Sequence, residues 1–446
     1  MVRGGLGGQG GVRSLALMTA LAVTAVGCGG KERQRRSHDA APVEEIARPA
    51  LADAGQGVAT DEIEPNDGAE VATALALGAT GRGRIATEAD ADIYALDVAE
   101  AGALAVELAG VDGVDLVLEV TDAGGTVLAR SDRGGARIRE GVPNLGVTPG
   151  RYLAVVRGKK PAAPPVKKRK KGAAPIDAGV AAPAPGPVYE LSAHLVPVVA
   201  GGEREPDGDR GTALDLIIGD SVTGYVGWAG DADVWKLSVE TLSEKNTLDV
   251  EVSAVEGLAL SIEVADGIGT VLATRKAPKG AAAVLRGLMP VVSAGAPPFH
   301  YLTVRGDRSN PETAYQLRVT ARVPGPDAEV EPNDAPATAM AVPADRTVVH
   351  AAWSPGDVDC FVLAADPAAR TVSILIDTPA EADLSAELLV DGKVVGASAQ
   401  PGKGAAERVT GAVPAGAQPV LRIKGTDTSA EGAYDVVLEE GPPPTP

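Results

Sequence analysis

Acidic side chains recur in the same order at three places in this 446-residue chain. Residues 62–67 read Glu-Ile-Glu-Pro-Asn-Asp, residues 329–334 read Glu-Val-Glu-Pro-Asn-Asp, and residues 203–207 carry a diverged copy, Glu-Arg-Glu-Pro-Asp. In an extended segment, side chains two residues apart point the same way, so Glu-x-Glu presents two carboxylates on one side. Carboxylates crowded in this way repel one another in the absence of a cation. The motif therefore has the chemistry of a cation site.

A second acidic motif follows each copy of the first. It is Asp-x-Asp followed by an apolar and then an aromatic residue, and it occupies residues 90–94, 231–235 and 357–361. We predict that the aromatic residues fill protein cores, because single aromatics at strand positions are usually buried, and stacking on a ligand is the alternative. These aromatic residues are Tyr94, Trp235 and Phe361.

Alternating apolar and polar residues predict β-strands in every unit. The clearest segments are residues 104–108, 248–252 and 372–377. A predicted hairpin follows each of them, at residues 117–129, 262–273 and 387–395, and the Asp391-Gly392 pair of the third is a strong two-residue turn signal. Each unit ends in two further segments that we expect to pair as a hairpin: residues 150–158 with 189–193, 301–306 with 314–319, and 420–425 with 433–438.

Many short strands with turns between them and little helix predict an all-β chain. The motif copies start at residues 62, 203 and 329, a spacing that matches whole domains rather than solenoid repeats. We therefore predict three tandem β-sandwich domains of jelly-roll type, following a signal peptide and a disordered tether. Their predicted bounds are residues 61–198, 203–322 and 329–440, with a Pro-rich tail at 441–446.

Residues 1–27 have the features of a secretory signal peptide, with an apolar core too short to span a bilayer. Residues 21–30 resemble the lipobox of bacterial lipoproteins, which implies lipidation of Cys28 and a membrane anchor. An ordinary signal peptide with an incidental cysteine is the alternative. Gly29 after the cysteine implies a location in the cell envelope at the outer membrane. Residues 28–60 lack apolar periodicity, so we predict a flexible tether.

The chain is acidic, with a formal net charge of -19. Such a field disfavours nucleic acid and favours cations, so we predict no nucleic-acid partner. The two cysteines are Cys28 and Cys360, and acylation of the first leaves the second without a disulfide partner. We therefore expect Cys360 to be a small buried hydrophobic residue rather than a reactive thiol.

A basic, Pro-rich segment at residues 159–187 interrupts the first unit and includes Lys-Lys-Arg-Lys-Lys at 167–171. Its prolines exclude a strand or a core helix, so we predict a disordered loop. Two interpretations stay open. The loop could contact phosphate, a polyanionic polysaccharide or the membrane surface, or it could be a neutral insertion, because surface loops tolerate added length.

Taken together, the opening acidic motif, the Asp-x-Asp motif with its aromatic residue, and the closing Gly-x-Tyr and Ala-Tyr segments resemble the bacterial pre-peptidase C-terminal (PPC) domain. The resemblance covers residues 62–198, 203–322 and 329–440, and the second copy departs from it in the opening motif. It implies a β-sandwich of the kind found after secreted peptidases and in surface proteins.

In some members of that family the two acidic motifs coordinate calcium, which takes six to eight oxygen ligands. Carried over to this chain, the resemblance implies that calcium ligands lie in the first and third units. The second unit has Arg204 between its glutamates and Gly208 in place of a ligand, although Asp207 and Asp209 could compensate. The alternative is that these side chains only cap turns. The implied ligands are Glu62, Glu64, Asn66, Asp67, Asp90, Asp92, Glu329, Glu331, Asn333, Asp334, Asp357 and Asp359.

The sequence contains no His-Glu-x-x-His, Gly-x-Ser-x-Gly or phosphate-binding loop motif, and its four histidines are scattered. Paired carboxylates could serve a glycosidase, but their threefold recurrence at domain edges suits structure better than one active site. We predict that the protein is not an enzyme. Two functions remain: binding or adhesion to a polysaccharide or protein, or a structural spacer that assists a separate secreted hydrolase or envelope complex.

Overall fold

The computed structural model describes residues 59–159, 186–197, 200–426 and 430–440. The predicted signal peptide, Cys28, the Pro-rich tail and nearly all of the tether and basic loop lie outside these residues. Every regular element within the described residues is a β-strand, which confirms the predicted all-β class. Within the same ranges, no helix is long and apolar enough to cross a membrane.

The first sandwich consists of strands β1 (Thr60–Asp61), β2 (Thr73–Ala74), β3 (Thr80–Gly83), β4 (Ala91–Val98), β5 (Gly102–Leu108), β6 (Asp115–Asp122), β7 (Val127–Ser131), β8 (Glu140–Val147), β9 (Gly150–Lys159) and β10 (Tyr189–Val196). One sheet has the order β1-β3-β10-β5-β8 and the other β2-β4-β9-β6-β7. Side chains from both sheets form one buried core, which includes Tyr94, Leu104 and Leu118.

The second sandwich consists of β11 (Leu214–Leu216), β12 (Ser221–Val226), β13 (Asp233–Ser238), β14 (Thr247–Val252), β15 (Leu260–Asp266), β16 (Val271–Lys276), β17 (Ala283–Leu288), β18 (Phe299–Gly306) and β19 (Asn310–Arg322). Its sheets have the orders β11-β13-β18-β15-β16 and β12-β19-β14-β17. Trp235, Leu260 and Tyr315 lie in the core between them.

The third sandwich repeats this arrangement with β20 (Met340–Val342), β21 (Val348–Trp353), β22 (Val358–Leu363), β23 (Arg370–Asp377), β24 (Leu384–Val390), β25 (Lys393–Ser398), β26 (Glu407–Val413), β27 (Val420–Gly425) and β28 (Gly432–Glu440). The sheet orders are β20-β22-β27-β24-β25 and β21-β28-β23-β26. The core between them includes Phe361, Ile374 and Leu421.

The segments predicted to be strands from their alternation are confirmed as β5, β14 and β23. In β14, Leu248, Val250 and Val252 are fully buried and the acidic residues between them are partly exposed, as expected when alternate side chains face a core. The three predicted hairpins are confirmed as the antiparallel pairs β6–β7, β15–β16 and β24–β25. Asp391 and Gly392 have φ values of 50° and 74°, the left-handed values that a type I′ turn requires.

The predicted pairing of the two closing strands of each unit is wrong. β9 lies between β4 and β6, whereas β10 lies in the opposite sheet between β3 and β5. The same separation holds for β18 and β19 and for β27 and β28. Alternation identifies the buried face of a strand but not its hydrogen-bonding neighbours. By crossing to opposite sheets, each closing strand gains a partner on both of its edges.

The opening segment of the second unit is bonded to two sandwiches. Glu203 N donates to Thr223 O of its own sandwich at 2.9 Å. Two residues later, Glu205 N donates to Asn144 O of the first sandwich at 3.1 Å, and Gly146 N donates to Glu205 O at 2.6 Å. The segment therefore acts as a short parallel strand beside β8.

The third unit begins in the same way. Glu329 N donates to His350 O within the third sandwich at 2.8 Å. Glu331 N donates to Gly287 O of the second sandwich at 2.9 Å, and Met289 N donates to Glu331 O at 2.8 Å. Consecutive sandwiches are therefore joined by backbone hydrogen bonds, which hold the junctions more firmly than their short connections alone would indicate.

Candidate cation sites

Each sandwich carries one cluster of acidic side chains, where its opening segment meets the start of the strand after the Asp-x-Asp motif. The second aspartate of that motif lies two residues before the core aromatic residue, so both side chains point to the same face and the aspartate is drawn into the interior. We name the clusters by their residues: cluster one (Glu62, Glu64, Asn66, Asp67, Asp90 and Asp92), cluster two (Glu203, Glu205, Asp207, Asp231 and Asp233) and cluster three (Glu329, Glu331, Asn333, Asp334, Asp357 and Asp359).

In cluster one, carboxylate oxygens of Glu62, Glu64 and Asp92 lie within 4.8 Å of one another. Glu62 Oε1 accepts a hydrogen bond from Arg84 N at 2.9 Å. Asn66 is fully buried, and neither its Oδ1 nor its Nδ2 has a hydrogen-bond partner among the described residues. Burial raises the pKa of Asp92 to about 8, and the neighbouring Glu62 contributes to the rise.

The two remaining acidic residues of cluster one hold nearby loops. Asp67 Oδ1 accepts a hydrogen bond from Ala91 N at 3.0 Å, and Asp90 Oδ2 accepts one from Ala86 N at 2.5 Å. Asp67 therefore bonds to the Asp-x-Asp segment rather than capping the turn that follows it. The Asp67 bond brings the two acidic motifs together, as the cation interpretation requires.

Cluster two has the most buried carboxylates. Oxygens of Glu203, Glu205, Asp207 and Asp233 lie within 4.8 Å of one another, and all four side chains are at most 6% exposed. Asp231 is also buried, and it accepts hydrogen bonds from two backbone N–H groups of its own loop. Among the described residues, no arginine or lysine forms an ion pair with these five carboxylates.

Several oxygens of cluster two have no hydrogen-bond partner in the part of the chain that the structure describes. They are Glu205 Oε1, Asp233 Oδ1 and both carboxylate oxygens of Asp207. Burial raises the pKa of Asp207 to about 7 and that of Asp231 to about 8, and the proximity of other carboxylates adds to both shifts. The pKa values of Glu203 and Asp233 are raised well above their usual range for the same reasons. A buried, unpaired carboxylate is costly, so the cluster requires protons or a cation.

The first sandwich contributes to cluster two. Asn144 of β8 donates from Nδ2 to Glu203 Oε1 at 2.8 Å, and its Oδ1 is buried without a partner. In cluster three the corresponding bond comes from within the cluster, where Asn333 Nδ2 donates to Glu329 Oε1 at 2.7 Å. Asp207 occupies the position of Asn333 and has no amide to donate, so the neighbouring sandwich supplies one.

Cluster three contains a cationic side chain from the second sandwich. Arg275 of β16 is only 1% exposed, and its Nη1 lies 2.7 Å from Asp357 Oδ1 and 3.1 Å from Asp334 Oδ1. Its Nη2 lies 3.0 Å from Glu331 Oε1. Burial would lower the pKa of Arg275, but these three carboxylates hold it above its usual value. Burial raises the pKa of Glu331 to about 9, with neighbouring carboxylates adding to the shift and Arg275 opposing it.

A tyrosine of the closing strand supports each cluster, a role that none of the sequence motifs indicates. Tyr189, Tyr315 and Tyr434 donate from Oη to Asp92, Asp233 and Asp359, respectively. Each tyrosine lies in the sheet opposite its aspartate. The predicted closing hairpin placed both closing strands in one sheet, so this contact across the core was not expected. The signal that could have revealed it is the recurrence of tyrosine at the same place in all three closing strands.

Glycines leave room for the first two clusters. A Cβ added at Gly83 would overlap Glu62 Oε2 and Tyr189 Oη, and one added at Gly224 would overlap Glu203 Oε2 and Tyr315 Oη. A side chain at either position would therefore have to displace atoms of the acidic cluster. This packing brings the glutamate and tyrosine oxygens close to the β3 and β12 backbones.

Of the predicted ligands, Glu62, Glu64 and Asp92 in cluster one and Glu331, Asp357 and Asp359 in cluster three have carboxylate oxygens within 4.8 Å of one another. Asp209, which could have compensated for Gly208, is exposed and caps a turn through hydrogen bonds from Gly211 N and Thr212 N. Asp231 and Asp233 complete cluster two instead. The predicted core positions of Tyr94, Trp235, Phe361 and Cys360 are confirmed, since each is at most 1% exposed.

The donor sets of clusters one and two fit calcium. Calcium prefers hard oxygen ligands in flexible arrangements, and carboxylate and amide oxygens supply them here. The orphaned oxygens of Asp207, Asp233 and Asn66 give such an ion partners that are otherwise unsatisfied. Cluster three offers fewer free acceptors, because Arg275 contacts three of its carboxylates.

No family model matches the chain, and no curated protein matches it. Among solved structures, it is similar to the pre-peptidase C-terminal domain of a collagenase from Bacillus anthracis, with 18% identity over 27% of this chain and 93% of that one and a TM-score of 0.19. A putative secreted protein from Eubacterium rectale matches with 12% identity over 55% of this chain and 73% of that one, at a TM-score of 0.17.

The tandem CBM22-1-CBM22-2 domain of Xyn10C from Paenibacillus barcinonensis also matches, with 12% identity over 51% of this chain and 100% of that one and a TM-score of 0.16. At such identities and TM-scores, none of these likenesses carries an argument about function. The assignment of β-sandwiches rests on the sheets and cores of the chain itself.

Proposed function

We propose that the protein is a non-catalytic lipoprotein of the cell envelope, composed of PPC-like modules, that binds a polysaccharide or another protein and is stabilised by calcium. In this proposal Cys28 carries the lipid, and residues 28–60 tether the sandwiches to the membrane, at the outer membrane. Clusters one and two provide the calcium sites, and the surfaces of the sandwiches provide the binding function.

The calcium part of the proposal is carried by cluster two. Four of its carboxylates are nearly or fully buried, within reach of one another and without an ion pair among the described residues. Such groups are stable only when protonated or when bound to a cation. Calcium at about 100 times its dissociation constant would add about 2.7 kcal/mol to the stability of the folded state. For a sandwich of this size, that is a rise in melting temperature of about 10 °C.

The binding part is supported by an apolar edge strand that recurs in all three sandwiches. β7, β16 and β25 each lie at the edge of a five-stranded sheet. Val127, Val271 and Val394 occupy equivalent positions near the start of these strands, and each is about half exposed, at 52%, 51% and 51%. Sheet edges with free backbone groups can accept an extended segment of a partner. An exposed valine at this position is therefore a feature that the three sandwiches share.

A structural spacer is the second candidate, and the junctions favour it. The opening segments of the second and third units are each bonded to two sandwiches through their backbones. An array joined in this way would resist bending and hold the parts of an attached complex at fixed distances from one another.

Melting the mature chain in calcium and in chelator tests the calcium part. We expect calcium to raise the melting temperature, and Glu205→Gln to reduce this effect. Glu240→Gln is the matched control, because Glu240 lies on the exposed surface of the same sandwich. Equal melting of the unsubstituted chain in calcium and in chelator would refute the calcium part.

Glycan and protein arrays probed with the mature chain test the binding part. We expect saturable binding that is weakened when Val127, Val271 and Val394 are all changed to Lys, and unchanged by Ile217→Lys, another exposed apolar position. Binding seen only in the presence of a larger envelope complex would favour the spacer instead. Mass spectrometry of the mature N-terminus tests the anchor, since an unacylated Cys28 excludes a lipoprotein.

A further inference from the structure

Arg275 crosses from the second sandwich into cluster three. It lies near the end of β16, in the buried register set by Ala273, but its position at the strand end carries the guanidinium beyond its own core. There it contacts Glu331, Asp334 and Asp357 of the next sandwich. A guanidinium with 1% exposure is stable only when its charge is paired, and these three carboxylates supply the pairing.

The contacted carboxylates are the counterparts of Glu64, Asp67 and Asp90 in cluster one. Oxygens of Glu331, Asp357 and Asp359 lie within 4.8 Å of one another, so a cation held by them would meet two of the carboxylates that the guanidinium contacts. A divalent ion at that place would lie within a few ångströms of the positive charge of Arg275. The repulsion would be large in a buried site.

The corresponding strand of the first sandwich carries no such side chain. The hairpins align Val127-Leu128-Ala129 with Val271-Leu272-Ala273, which places Ser131 where Arg275 stands. Ser131 donates to Glu140 Oε2 at 2.6 Å within its own sandwich. At the first junction, cluster two receives only the neutral amide of Asn144 and keeps unpaired carboxylate oxygens. Clusters two and three therefore differ in charge although the backbones at the two junctions pair alike.

We propose that Arg275 is the resident cation of cluster three, so that this cluster takes no divalent ion and the second and third sandwiches are locked together without metal. Cluster two, at the first junction, is left for an ion from solution. The proposal deepens the calcium function proposed above and relies on it for cluster two, but not for cluster three. It predicts that removing calcium loosens the first junction and leaves the second one closed.

Calcium titration of the full chain by calorimetry tests the proposal. We expect Arg275→Gln to bind one ion more than the unsubstituted chain, because the substitution vacates cluster three while keeping its carboxylates. Adding Glu331→Gln to Arg275→Gln should remove the extra ion. Arg286→Gln is the matched control, since Arg286 also bridges the second junction, to Glu431 at 2.9 Å, without touching the cluster. It should leave the number of bound ions unchanged.

An unchanged ion count in Arg275→Gln would overturn the proposal. Should that variant fail to fold, Glu331→Gln alone decides the matter: an unchanged count supports a metal-free cluster three, and the loss of an ion overturns it. The same titration also tests the calcium part of the proposed function, through the ion count of the unsubstituted chain. If the unsubstituted chain binds no calcium but Arg275→Gln binds one ion, the assignment of Arg275 stands and the calcium part of the proposed function fails.

Discussion

Removing the hydroxyl of Tyr315 is expected to cost more than removing that of Tyr434, although both donate to the same aspartate of their clusters. Tyr315 Oη donates to Asp233 Oδ2 at 2.5 Å and also accepts a hydrogen bond from Trp235 Nε1 at 3.1 Å. In the third sandwich the residue in place of the tryptophan is Phe361, which has no N–H group. Tyr315→Phe therefore orphans two buried polar groups, and Tyr434→Phe orphans one.

The loss of stability in each variant follows from the number of polar groups that it leaves without partners. Leaving a buried donor or acceptor unsatisfied costs about 1–3 kcal/mol. Tyr434→Phe, which orphans one group, should thus destabilise its sandwich by about 1–3 kcal/mol, and Tyr315→Phe, which orphans two, should destabilise its own by about 2–6 kcal/mol. Both tyrosines are at most 3% exposed, so water cannot replace the lost partners without a local opening.

Native-state hydrogen exchange followed by mass spectrometry is the suitable assay, because a chain of several sandwiches does not unfold in one two-state transition. Protection of β13 and β19 reports on Tyr315→Phe, and protection of β22 and β28 reports on Tyr434→Phe. Tyr301→Phe, outside the clusters, is the control and should change protection by less than about 0.5 kcal/mol. Equal losses for the two cluster variants would refute the contribution assigned to the Trp235–Tyr315 bond.

Three further outcomes are expected. Gly224→Ala should abolish calcium binding at cluster two and destabilise its sandwich by about 1–3 kcal/mol, as measured by calorimetry and melting against Gly325→Ala, where a Cβ meets open space. Burial raises the folded-state pKa values of Asp207 and Asp231 to about 7 and about 8, so the calcium-free fold loses stability as pH rises from about 4 through these values. The calcium-induced rise in melting temperature should therefore be larger at pH 8 than at pH 5. A larger rise at pH 5 would contradict this expectation. Burial raises the pKa of the Cys360 thiol to about 11, so a thiol reagent should label it only after denaturation, and rapid labelling of the native chain would exclude this assignment.

Local patterns predicted much of the fold. Alternation in the segment around Leu248 and the Asp391-Gly392 turn each depend on neighbours in sequence, and both predictions are confirmed. The pairing of the closing strands could not be predicted from local patterns. Nothing in the alternation of residues 150–158 and 189–193 distinguishes a hairpin from two strands that face each other across a core.

The candidate site was predictable to the extent that it repeats. The acidic motifs recur three times, so their meeting could be inferred from the sequence. Asn144 and Arg275 could not be inferred, because each occurs once and reaches its cluster across a junction, to Glu203 in one case and to Glu331 in the other. Their contacts depend on how two sandwiches dock, which no motif within either sandwich encodes.

The double bonding of residues 203–207 affects how the chain can be divided. A fragment that stops at residue 198 leaves Asn144 O and Gly146 N of β8 without the partners that Glu205 provides. A fragment that starts at residue 203 carries a half-strand with nothing to pair against. Truncated or recombined chains should therefore fold better when a unit keeps the first residues of the unit that follows it. The segment that folds and can be exchanged as one piece thus ends several residues later than the repeat defined by the sequence motifs.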